Sequence, residues 1–113
     1  MQPVEINAGS WYLRALRADD RLSDVPALAD LGLTADVVTA TDRAWTAQTA
    51  CTWAVCEPTT GELVALISVA APTPSSAAQL TGQARAGGEG ALAAAEGPVG
   101  RFVADALGWS LPD

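Results

Sequence analysis

The chain has 113 residues, half of them apolar and 17% charged, with thirteen acidic and six basic side chains, no histidine and a net charge of −7. That length makes one domain, folding hides roughly 65% of its unfolded surface, and an apolar, sparsely charged composition excludes intrinsic disorder. A polyanion without a basic patch is repelled by phosphate backbones and anionic lipid, which excludes general nucleic-acid binding and membrane-surface association.

After an irregular start, Trp11-Tyr12-Leu13-Arg14-Ala15-Leu16-Arg17 alternates bulky and polar side chains and then meets Ala18-Asp19-Asp20. This predicts a strand over 10–17, with the aspartates as its stop. Ser23 and Asp24 suit a helix start, Pro26 is tolerated in a first turn, and Gly32 suits a left-handed C-terminal cap, so a short helix is expected over 24–31. Thr34 is a second N-cap candidate, and Asp36 favours the helix dipole from the first turn. Val37, Val38, Thr41, Ala44 and Trp45 share one face at helical spacing, which predicts a helix over 35–49.

Thr52-Trp53-Ala54-Val55-Cys56-Glu57, the turn Pro58-Thr59-Thr60-Gly61, and the run from Leu63 to Ala70 predict a hairpin. Its second strand is apolar on both faces and is expected in the sheet interior. From Ala71 to Gly90 the composition shifts to Pro, Ser, Thr, Gly and Ala, which reads as a linker or as a weak strand around 77–81. Ala91 to Ala95 is helix-prone and Gly97-Pro98 interrupts it. Val99, Phe102, Val103, Ala106 and Leu107 then form an amphipathic helix with Pro98 at its first position and Gly108 at its close. No internal repeat and no second domain are visible.

Cys51 and Cys56 fall on opposite strand faces, so they are expected to be buried, unbridged thiols. Without histidine there is no Cys–His pair, no serine–histidine–carboxylate triad and no Cys/His metal site. No signal-like leader and no long apolar run occur, so a cytoplasmic protein is expected. Trp45 and Trp53 read as core; Trp11 and Trp109 could instead cover a sheet edge or a partner.

The order strand, two helices, hairpin, glycine-rich loop and helix resembles the GNAT family of N-acetyltransferases, and three motifs carry the likeness. The segment from Tyr12 to Asp20 looks like the family's opening strand, an apolar-Arg-apolar segment ending in aspartate. Trp53 to Val64 looks like its central hairpin with a Pro/Thr/Gly turn. Arg85-Ala86-Gly87-Gly88-Glu89-Gly90 fits its phosphate loop, Gln/Arg-x-x-Gly-x-Gly/Ala, followed by a helix.

The resemblance implies an α/β (α+β) fold with a GNAT-like mixed sheet, shortened on its C-terminal side and carrying three to four helices. It also implies acetyl-CoA as cofactor, with Arg85, Ala86, Gly87, Gly88, Glu89 and Gly90 around the pyrophosphate, and an amine as acceptor. Backbone N–H groups freed by glycine, with a helix N-terminus behind them, are what such a loop offers an anion.

Several residues depart from the family pattern. Glu89 stands where the family often has a basic residue, and Ser75 to Ala84 is poor in β-branched residues where the family's pyrophosphate-side strand should form. Two alignments fit the tail: a single post-loop helix over 91–107, or a later helix from Pro98 with a strand deleted before it. Neither supplies the tyrosine acid, since Tyr12, the one tyrosine, packs in the first strand. Glu57 and Glu62 are weak candidates for a base, and no catalytic residue is nominated. An acetyltransferase and a non-catalytic interaction or regulatory module are both consistent with these residues. So, at lower weight, is a small-ligand protein unrelated to acetyl transfer. A sheet cut short leaves an edge to be covered, so a homo-oligomer or another protein partner is expected.

Overall fold

A computed structural model describes residues 1–112. In chain order the elements are β1 (Ile6–Ala8), β2 (Trp11–Arg14), α1 (Val25–Asp30), α2 (Asp36–Ala47), β3 (Ala50–Cys56), β4 (Leu63–Ala70), β5 (Gln79–Ala84) and α3 (Glu89–Leu107). The strands form one sheet in the order β1-β2-β3-β4-β5. The class is α+β with three helices, but every neighbouring pair is antiparallel, which corrects the mixed sheet expected above. One crossover helix would return the chain to the start of β2 and make β3 parallel. Two helices in succession return it to the end of β2, and β3 runs back.

The strand expected over 10–17 is β2, and it stops at Arg14. Beyond it Asp24 N–H donates to the Arg17 carbonyl at 2.8 Å and the Asp24 carboxylate accepts from Arg17 N–H at 2.7 Å. These bonds draw 15–17 away from the sheet and onto the α1 entry. β1 was not foreseen; Ala8 and Trp11 close a two-residue loop of Gly9, at φ +63°, and Ser10, a hairpin signal hidden by the shortness of the strand. The stretch after Ala71 holds a strand that pairs along its whole length, Ala65↔Ala84 to Ala70↔Gln79. Of the two alignments of the tail, the single post-loop helix is the one found: α3 runs through Pro98, without the interruption expected at Gly97-Pro98. Its buried stripe of Ala91, Ala95, Val99 and Val103 continues on both sides of the proline, and burial of that stripe holds the helix although Pro98 offers no N–H to the preceding turn.

Alternation along β3 and β4 divides the core. Cys51, Trp53, Val55, Ala65, Ile67 and Val69 meet α3 on one face. Ala54, Cys56, Leu63 and Leu66 meet Ala27 and Leu28 of α1 on the other. Leu63 reaches that second face through a bulge: Val55 opposes Ala65 and Cys56 opposes Leu63, leaving Val64 extra. Trp53 is the hub of the larger cluster. It stands edge-on to Trp45 at 5.0 Å and to Phe102 at 5.7 Å between ring centroids, and its indole N–H donates to the Val4 carbonyl at 2.7 Å. Trp11 and Trp109 pack at the margin of this cluster. No helix is long and apolar enough to cross a membrane.

Arg14 and Asp24 are buried ions, 6% and 2% exposed in their side chains, joined by two 2.8 Å hydrogen bonds. Arg14 also donates to the Ala15 carbonyl at 2.9 Å and to the Gly61 carbonyl at 3.0 Å. Burial opposes its charge, yet the bond to Asp24 prevails and the guanidinium is held above its ordinary value. Asp24 occupies the N-cap position of α1 without capping it; Ser23 Oγ accepts from Val25 N–H instead.

Asp24→Ala should cost about 3–5 kcal/mol in urea unfolding, because it leaves Arg14 charged and unpaired in the interior. Cys51 and Cys56 are both free and buried, and burial pushes each thiol up to about 11. With a folded value above the unfolded ~8.5, their contribution to stability is complete below that value and is lost as pH rises towards 11. A disulfide reagent at about pH 8 should find neither thiol in the native protein and both in urea.

Candidate functional site

The glycine-rich segment leaves β5, turns under the bulge of β4 and enters α3. Arg85 N–H donates to the Val64 carbonyl at 2.9 Å, and Gly88 N–H closes back on the Arg85 carbonyl at 2.8 Å. Gly87 takes φ +86°, a conformation that side chains resist. Gly88 is the N-cap position of α3, and a Cβ on it would collide with the Val64 carbonyl oxygen. Gly90 has open space around it. Two of the three glycines are therefore required by the chain's own turn and packing.

Arg85, the one cation of the segment, is held within the protein. Its guanidinium meets Asp30 Oδ2 at 2.8 and 3.1 Å, Glu62 Oε1 at 2.7 Å and the Leu63 carbonyl at 2.9 Å. The bonds to Glu62 and Asp30 hold it above its ordinary value. Glu89 turns a carboxylate oxygen back towards Gly87 N–H, 3.4 Å away, so a negative charge faces the turn that a pyrophosphate would approach. Ala86 is exposed.

A cleft of ≈ 590 Å³ opens beside this loop, walled by Asp30 of α1, Glu57, Thr60 and Glu62 of the β3–β4 turn, and Arg85 to Gly88. The wall sets three carboxylates against one guanidinium. Glu57 is tied into its turn by Thr59 N–H, Thr59 Oγ1–H and Thr60 N–H, which lower its proton affinity, the wrong direction for a general base near neutrality. Tyr12 lies on β2, separated from the loop by β3 and β4, and the Glu5 carboxylate holds its phenol above the ordinary value. The structure thus brings together Glu57, Glu62 and the 85–90 loop and leaves Tyr12 apart. Among the described residues no three potential metal ligands cluster.

Asp30 was missed in the sequence. It ends α1, fifty-five positions from Arg85, and no local pattern links the two. Asp19 is also defined by its partners: Arg17 and the N–H groups of Arg21 and Leu22 lower its carboxyl to about 2, the behaviour of a turn-capping aspartate.

Gly88→Ala should destabilise the protein by about 1–3 kcal/mol through overpacking against β4. Gly90→Ala should stabilise it by about 0.5–1 kcal/mol by stiffening the first turn of α3; chemical denaturation of the two variants measures both. No family model, no curated protein and no solved structure matches the chain.

Proposed function

We propose that the chain is a GNAT-like scaffold serving as a non-catalytic protein-interaction or regulatory module. The observation that carries this reading is the double ion pair of Arg85 with Asp30 and Glu62. The residue that should greet a pyrophosphate already faces two carboxylates, with Glu57 and Glu89 close by. At 4 Å each unpaired like-charge contact opposes an incoming phosphate by roughly 1–4 kcal/mol, depending on screening. The pairs themselves are half-exposed and contribute little to stability. Their effect is to set the sign of the cleft.

A second reading, acetyl-CoA-dependent transfer to an amine, draws support from the same cleft. Its volume accommodates a small acceptor, and its acidic wall attracts a cationic one. Orientation alone can accelerate acyl transfer without a dedicated base.

Isothermal titration with acetyl-CoA separates the two. The expected result is no saturable heat up to ~1 mM, a limit of about −4 kcal/mol on binding. Saturable binding in the micromolar range would restore the transferase reading.

A further inference from the structure

β5 ends the sheet order, and its outer edge is unusually permissive. Natural edges are blunted by lysine, proline, bulges or extreme shortness. β5 is six residues of QLTGQA with no charge and no proline, and it pairs with β4 in an unbroken register. In a chain of net charge −7, no residue from 63 to 84 is charged, so the strand itself presents no acid to a second copy; the nearby acid is Glu96 of α3, which shares a cleft with Gln79, Leu80, Thr81 and the Leu111-Pro112 segment. The opposite edge, β1, has only three residues and is preceded by Pro3 and Glu5.

The hydrogen-bond parity of β5 decides which pairing is available. Arg85 N–H donates to the Val64 carbonyl, the rung next to Ala65↔Ala84. Rungs of an antiparallel ladder alternate between bonded and non-bonded. Gln79, Thr81 and Gln83 therefore turn their backbone groups towards β4, and Leu80, Gly82 and Ala84 turn theirs outward. A two-fold axis at Thr81 sets Leu80 opposite Gly82 of the second copy, twice, so outward groups meet outward groups. Thr81 then faces Thr81 of the second copy on a close, non-bonded rung, a favourable cross-strand pair. Gln79 faces Gln83, two amides that each donate and accept. These three side chains are exposed. On the other face Leu80 meets Gly82, which is bare because a Cβ there would approach Leu92 Cδ1 to 2.6 Å.

We propose that two copies of this chain join β5 to β5 about a two-fold axis at Thr81, forming one continuous sheet with five strands from each. This pairing requires nothing of the 85–90 loop, so it stands or falls independently of acetyl-CoA binding.

Sedimentation from ~5 to ~500 µM tests it, because edge pairing alone suits a dissociation constant of about 10–100 µM. The weight-average mass should rise towards twice the monomer. Thr81→Glu puts two like charges on the axis at an exposed position and should weaken association at least ~10-fold with an unchanged circular dichroism spectrum. Thr81→Cys should cross-link into a covalent dimer with oxidised glutathione, since a Cα separation of ~4.5 Å on that rung admits a disulfide. The buried native thiols, pushed up to about 11, do not compete. A wild-type monomer throughout the range, a dimer undiminished by Thr81→Glu, or a Thr81→Cys variant that fails to cross-link would each overturn the proposal.

Discussion

The buried pair of Arg14 and Asp24 is the constraint on which the rest of the molecule depends. An arginine on the second strand points into the face that α1 covers, and an ion there is tolerated only if it is matched and fully hydrogen-bonded. Asp24 supplies the match, the Ala15 and Gly61 carbonyls supply the remaining bonds, and no buried side-chain nitrogen or oxygen is left without a partner among the described residues. One guanidinium thereby fixes the end of β2, the entry to α1 and the β3–β4 turn. Such a pair is by itself weak evidence of net stability, although removing one partner is costly. Its contacts lead to the cleft: Arg14 holds the Gly61 carbonyl next to Glu62, and Asp24 stands at the start of the helix that ends in Asp30, so both carboxylates that reach Arg85 lie one short step from the pair.

The glycine-rich segment has a local cause for most of what makes it look like an anion site. Gly87 is needed for the turn and Gly88 for clearance below the Val64 carbonyl, which the bulge of β4 pushes towards the loop. Arg85 serves as a clasp between α1, the hairpin turn and β4. A loop of this composition can therefore be retained for packing alone, and its charge surroundings decide whether an anion is also welcome.

Most of the architecture was legible in the residues. Helical spacing placed Val37, Val38, Thr41 and Trp45 on the buried face of α2, and the Pro-Thr-Thr-Gly turn placed the central hairpin. The period-2 argument put Cys51 and Cys56 on opposite faces, where they are found. Where the sequence left two readings open, tertiary burial decided between them. β5 lacks β-branched weight yet is held by full pairing with the strongly β-forming β4, and α3 ignores Gly97-Pro98 because its apolar stripe continues across them. At the site, the loop could be located from its glycines. The partners of its arginine could not, because Asp30 and Glu62 are brought there by packing over distances that no local pattern spans.

The strand order follows the chain order without exception, which has a consequence in time. Each strand leaving the ribosome finds its neighbour already made, no early strand waits for a late one to be inserted beside it, and the one long closure between sheet neighbours is β2 to β3, across α1 and α2. α3, which follows all five strands in the chain, lays its small-residue stripe across strands that are already paired. The growing edge of the sheet moves along the sequence as synthesis proceeds, and of the five strands it is β5 that is left at the front.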